Sequence, residues 1–196
     1  MKTRFRNPAG SLEQHLVRHL GEPFAVTDER VSGGRIEVSG FRDVPGDGIV
    51  TLVTVGLSDI ARRRGFGGIH GQAQELSMVL DGTYFTEDFL TFFVSVATKY
   101  CRDHRQLAWG EFLDLGMVIP GSLDLGVLFV WPVALFDDSF QFVATPAGET
   151  SVALLFPMRR DEVASVAAME LEAFGDALDA LQPEIWDLRR PSLKFA

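Results

Sequence analysis

An α+β fold is predicted, a single domain in which a mixed β-sheet is covered by helices in an α/β/α-like arrangement. Three observations predict it. The periodicity of the apolar residues changes along the chain in the order helix, strands, helix, strands, helix. The composition, 46% hydrophobic and 23% charged over 196 residues, is that of a folded chain long enough for one sizeable core. No linker and no internal repeat divides it. The domain is placed at 11–190, with tails at 1–10 and 191–196.

Each element has its own signal. Ser11 is a suitable N-cap, Leu12, Leu16 and Leu20 recur every four residues, and Gly21 stops the turn; a short helix covers 11–20. A weak strand is expected at 24–31. "RIEVSGF", 35–41, alternates as a half-buried strand does, and "IVTLVTV", 49–55, follows a Pro-Gly-Asp-Gly turn, so 35–55 is read as a hairpin. "DIARRRGFGGIHGQ", 59–72, holds three arginines and four glycines and is read as a mobile loop. In 73–82, Glu75, Ser77 and Asp81 alternate with Leu76, Met78 and Leu80, which favours a strand over a helix.

The strongest helix signal lies at 86–105. Thr86 is placed to cap it, Glu87 and Asp88 complement the positive end of the helix dipole, and basic residues gather at the far end. Two apolar stripes run along it, through Phe89, Phe93, Val96 and Tyr100 and through Leu90, Val94, Ala97 and Cys101, so it packs on more than one side. Residues 109–125 are rich in turns. Strands are expected at 126–131, 139–145 and 150–156, and a final helix at 160–181, where Val163, Ala167, Leu171, Phe174, Leu178 and Leu181 form a stripe before Pro183.

The formal charge of −9 disfavours free nucleic acid as a partner, because phosphate binding needs a basic face. It suits solubility or association with a basic protein. One cysteine, Cys101, allows no intrachain disulfide and fits a reducing compartment. The N-terminus has no apolar core of a signal peptide, and the longest apolar run, 126–136, is short for a membrane span and broken by Pro132. The chain is read as cytoplasmic, without a membrane or a cofactor.

Ser58 follows a strand and Gly56, as a nucleophile elbow requires, but the second glycine of that motif is replaced by Ile60. Ser58 and Asp59 are therefore read as turn residues bonding nearby amides. His15 and His19 are spaced to share a metal ion on a helix, yet Leu16 stands where a zinc protease has its glutamate; the pair is read as flanking the leucines and facing solvent. "GFGGIHG", 65–71, lacks the third glycine of a dinucleotide loop and the lysine of a P-loop. Cys101 lies three residues before His104, but a buried structural thiol is the simpler reading. Trp109, Trp131 and Trp186 read as core or rim, and no carboxylate pair stands out. The set points away from an enzyme. The alternatives are a hydrolase using Ser58 or a His15/His19 metal site, and a homo-oligomer using some of the 16 phenylalanines.

Several of these stretches together resemble the suppressor-of-fused domain family: "TLVTVGLSD" (51–59), "QELSMVL" (74–80), "GVLFVWP" (126–132), "SFQFVAT" (139–145), "VALLFPMRRDEV" (152–163) and "LGEPFAVTDE" (20–29). Their order covers about 20–190. Where many members carry Gly-His after the long helix, this chain has Gly110-Glu111 or Gly116-Met117. The resemblance implies a mixed sheet flanked by helices and no known enzymatic activity. The animal member is a two-domain binder of a transcription factor; this chain is similar to its N-terminal domain and, at 196 residues, is expected to lack the second. Stand-alone bacterial members are proposed to be immunity proteins, so the resemblance implies a protein partner such as a basic toxin domain. Gly56, Leu57, Ser58, Asp59, Arg62, Arg63, Arg64 and Trp109 are the residues expected to meet it.

Overall fold

Ile49–Val55, Ala73–Asp81 and Gly148–Arg159 are strands buried over most of their length. Only a sheet covered on both faces accommodates them. The computed structural model, described over residues 11–65, 73–103, 107–132, 135–181 and 184–194, contains that sheet. Its strands are β1 (Ala25–Val31), β2 (Gly34–Arg42), β3 (Ile49–Val55), β4 (Ala73–Asp81), β5 (Phe112–Asp114), β6 (Leu125–Pro132), β7 (Phe142–Thr145) and β8 (Gly148–Arg159). They lie in the order β1-β2-β3-β4-β8-β6-β5, with β7 paired to the first residues of β8. The β4–β8 pair is parallel and the others are antiparallel, so the sheet is mixed, as expected.

The helices are α1 (Leu12–Leu20), α2 (Leu57–Arg64), α3 (Glu87–Asp103), α4 (Asp138–Gln141), α5 (Val163–Val166) and α6 (Leu171–Leu181). Side-chain alternation sorts them onto two faces. Leu76, Met78 and Leu80 of β4 join one core with Leu57 and Ile60 of α2 and with Phe89 and Phe93 of α3. Val79, one residue out of phase, joins a second core with Leu16 of α1 and with Phe174 and Leu178 of α6. Two hydrophobic cores on one sheet give the three-layer α+β arrangement that the order of elements predicts. Among the described residues no helix is long and apolar enough to cross a membrane.

Most elements fall where their patterns place them. Ser11 Oγ accepts from the Gln14 N–H, and Thr86 Oγ1 accepts from the Phe89 N–H, as caps do. Four expectations fail locally. Residues 59–64 of the expected loop belong to α2, because Ile60 and Ala61 are fully buried and anchor a turn that the arginines alone would leave in solvent. Residues 139–141 of the expected strand 139–145 belong to α4, nucleated by Asp137, whose carboxylate accepts from the Ser139 N–H and Oγ–H. The expected helix 160–181 is broken into α5 and α6, because Val166 is buried and the stripe residue Ala167 is exposed. The turn-rich stretch 109–125 still supplies a short strand, β5.

A buried ion pair fastens the C-terminal segment to the end of β8. Glu162 and Arg190 are both essentially inaccessible to solvent. The carboxylate accepts from Arg190 Nη1 and Nη2 and from the backbone N–H groups of Arg159 and Leu193. The guanidinium also donates to the carbonyls of Pro157 and Pro191. Both carboxylate oxygens and both terminal guanidinium nitrogens are thus engaged, which offsets the cost of burying two charges. Arg190→Ala is expected to lower the unfolding free energy by about 3–5 kcal/mol, since it strands the Glu162 charge. Chemical denaturation of the single and the Glu162→Gln/Arg190→Met double variant checks this; a double variant no more stable than the single one contradicts it.

Candidate functional site

The corner between β3 and α2 holds most of the singled-out residues. Gly56 takes φ 104°, which swings the chain out of the sheet into the helix. A Cβ there would stand 2.5 Å from the Arg35 carbonyl oxygen, so the approach of two backbones also requires glycine. This residue is the N-cap of α2 and has no side chain to cap with. The missing cap comes from the neighbouring strand.

Glu75, on β4, is fully buried. Its Oε1 accepts from the Gly56 N–H (3.0 Å), the Ser58 N–H (3.0 Å) and the Ser58 hydroxyl (2.7 Å). Its Oε2 accepts from the Thr54 hydroxyl (2.6 Å) and the Leu57 N–H (3.3 Å). Three backbone donors of the first turn of α2 are thereby satisfied, and the negative group sits at the positive end of the helix. Burial pushes the Glu75 carboxyl up to about 7, against the hydrogen bonds of Thr54, Ser58 and Gly56, which pull it down. Protonation leaves the cradle intact, because the hydroxyls of Thr54 and Ser58 can turn from donor to acceptor.

Ser58, expected to bond nearby amides in a turn, instead bonds the Glu75 carboxylate with its hydroxyl. It is buried, and so presents no oxygen to a substrate arriving from solvent. Leu57 is part of the core. Asp59 is exposed and pairs with Arg62 at 3.5 Å. Arg62 reaches the β7–β8 turn, donating to the carbonyls of Gly148 and Glu149 and to Thr150 Oγ1. Arg64 donates to the Cys101 carbonyl at the end of α3 and to the Ser32 carbonyl in the β1–β2 turn. Arg63 is exposed beside Gly34, and Trp109 is half-buried against the core on the α3 side. The structure therefore brings Gly56, Leu57, Ser58, Asp59 and the three arginines together on one helix, while Trp109 lies apart from them in sequence and element.

The histidine pair differs from expectation. His15 is buried and not solvent-facing: its Nε2 lies 3.0 Å from the Phe140 carbonyl, with its ring stacked on that phenylalanine. Burial lowers its pKa. His19 lies beside it, ring centroids 4.6 Å apart. Among the described residues no group of three or more histidine, cysteine or acidic side chains is placed to hold a metal ion. Cys101 is buried, and burial raises its thiol to about 11. His104 and residues 66–72, with the glycine-rich stretch, lie outside the described residues. A cleft of about 200 Å³ opens between α3 and β5, and no described residue lining it is serine, cysteine or histidine.

Glu75 and Glu162 are the two site-building residues that the sequence reading missed. The signal for Glu75 was present, a single acidic residue inside the strand "QELSMVL". Glu75 raised from 4.5 to about 7 makes its acid form the stabilising one. That contribution is complete below pH 4.5 and is lost as pH rises through about 7, amounting to about 2–3 kcal/mol between pH 5 and pH 8. The stability difference between the native chain and Glu75→Gln is therefore expected to narrow over that interval. Urea unfolding of both at the two pH values measures it, and a constant difference contradicts the assignment.

Residues 33–191 match the family model described as suppressor of fused protein (SUFU). None of the curated proteins matches the chain. The fold is similar to the crystal structure of a SUFU homologue from Neisseria gonorrhoeae, at TM-score 0.66 and 13% identity over 94% of this chain and 95% of that one. It is similar to a chain of the Sufu-Fu complex, at TM-score 0.62 and 14% identity over 93% and 89%. It is also similar to Drosophila Suppressor of Fused, at TM-score 0.55 and 17% identity over 82% of this chain and 43% of that one. The mixed sheet flanked by helices agrees with these neighbours, and the family match spans well over half of the sequence. The chain belongs to the suppressor-of-fused family.

Proposed function

We propose that this chain is a non-catalytic protein-binding module, and that it acts as an immunity protein that neutralises a toxin by binding it directly. The observation that carries the reading is the fold shared with the chain solved in the Sufu-Fu complex, a family member bound to another protein. The chemistry of the β3–α2 corner supports it. The one serine with the setting of a nucleophile is buried and committed to Glu75. A net charge of −9 suits a basic partner such as a nuclease toxin, since opposite charge speeds and orients association. A single cysteine, raised in pKa by burial, suits a cytoplasmic site of action.

Within this reading most of the β3–α2 corner shapes the surface rather than forms it. Gly56, Leu57 and Ser58 hold the bend; Arg62 and Arg64 tie α2 to its neighbours. Asp59 and Arg63 are the members with exposed side chains, and they and half-buried Trp109 stay available for contact. Co-purification from the native host is expected to yield a basic protein encoded beside this chain, and co-expression is expected to relieve that protein's toxicity. The absence of any stable protein partner overturns the reading. Ser58→Ala is expected to lose about 1–3 kcal/mol of stability and keep the partner, because it removes a donor from a buried carboxylate and no contact. A turnover on an esterase panel that disappears with Ser58→Ala would support a hydrolase instead.

A further inference from the structure

The large hydrophobic residues exposed among the described residues are Met117, Val118, Leu123 and Phe142. Three of these lie in the single connection between β5 and β6, at 53%, 46% and 68% exposure for Met117, Val118 and Leu123. The connection is held in shape. Ile119 is fully buried beneath it, its N–H donates to the Leu125 carbonyl, and its own carbonyl accepts from the Ser122 N–H and hydroxyl. Leu115 N–H donates to the Gly126 carbonyl, and Arg189 Nε donates to the Gly121 carbonyl. An apolar tip fixed by its own backbone costs little ordering on binding. Water alone gives no reason to display three such side chains together.

The sheet topology sets what surrounds this tip. The starts of β3 and β6 and the ends of β2, β4, β5 and β8 lie at one end of the sheet. The same end therefore carries Asp47, Glu87, Asp88 and Asp161, all exposed and without an ion pair among the described residues. Two of its arginines have acidic partners, while Arg42, Arg189 and the exposed Lys194 beside Leu193 have none among the described residues. Arg159 pairs with Asp124, Arg160 with Asp114, Arg42 lies over the Phe24 ring, and Arg189 lies on Gly121 and Tyr84. Gly121 packs against Tyr84, which joins the tip to the segment that leads into α3 with Glu87 and Asp88. The arginines of α2 belong to the opposite end, where β3 finishes. Asp47, Glu87, Asp88 and Asp161 outnumber Arg42, Arg189 and Lys194, so the balance of unpaired charge around the apolar tip is negative.

We infer that the β5–β6 connection is the docking surface for the protein partner, and that the partner presents an apolar pocket or side chain ringed by lysine and arginine. The inference rests on the protein-binding reading and adds to it the surface and the partner's chemistry. A second copy of the chain is disfavoured, because it would bring like charges together around a small patch.

A photo-crosslinking residue in place of Leu123 and, separately, in place of Arg63 tests this in the full-length chain in its native host. The expected result is an adduct from position 123 with a protein of positive net charge, identified by mass spectrometry, and none from position 63. Calorimetry with that purified protein should then show Met117→Glu and Leu123→Glu weakening binding about 30-fold or more. Both variants should melt as the native chain does, since the side chains are exposed. Glu87→Lys with Asp88→Lys should slow association and flatten its salt dependence. An adduct from 63 alone leaves protein binding standing and overturns this surface. An adduct of 123 with a second copy, or with an acidic protein, overturns the partner's chemistry. No adduct from either position overturns the surface and counts against the binding reading itself.

Discussion

The hold of Glu75 on the first turn of α2 is the interaction on which the rest of this fold's geometry depends. A strand can leave a sheet at Gly56 only if the amides of the next turn find acceptors. Solvent cannot supply them here, because Leu57 and Ser58 are buried. One carboxylate from β4 supplies them instead. The same contact fixes where α2 points, and so where its arginines reach. Arg64 then joins the β1–β2 turn to the end of α3, and Arg62 joins α2 to the β7–β8 turn. A single buried side chain thus sets the position of a helix that ties distant segments of the sheet together.

Two buried carboxylates solve the same problem in different ways. Glu75 has no cation among its partners, and its neutral and ionised forms can both be accommodated by hydroxyls that rotate. Glu162 meets a guanidinium in a fork, where only the charged form matches the donors. Glu75 therefore gives stability a dependence on pH near neutrality, since its carboxyl lies at about 7. Glu162 gives closure: it holds the residues around Arg190 and Leu193 against the end of β8.

What the sequence made legible follows from the range of each interaction. α1, α3, β2, β3 and β6 carry their own periodicity and caps, and they could be placed from local pattern. α2 could not. Its composition of arginine and flanking glycine argues for a loop, and its cap comes from a residue 17 positions beyond Ser58. The alternation in β4 is real, but it does not mark a solvent face. Glu75 and Ser77 are buried because Ser58, Thr54 and the Ala153 carbonyl reach them from other elements. His15 is turned inward by Phe140, 125 residues away. The singled-out corner was found by its chain geometry, while the work of its residues was decided by contacts that no local pattern contains.

These contacts also explain how the molecule keeps its surfaces distinct. At the α2 end, charged groups are spent on structure: Arg62 and Arg64 bond carbonyls, and Asp59 pairs with Arg62. At the other end, Arg159 and Arg160 near the β5–β6 connection are paired with Asp124 and Asp114, and the carboxylates of Asp47, Glu87, Asp88 and Asp161 stay exposed. A fold that consumes its cations internally leaves an acidic exterior even where basic residues occur. Part of the acidic surplus, Asp47, Glu87, Asp88 and Asp161, thus lies at the end where apolar side chains stand in solvent. That combination of an apolar tip with surrounding carboxylates is suited to recognition by shape and charge.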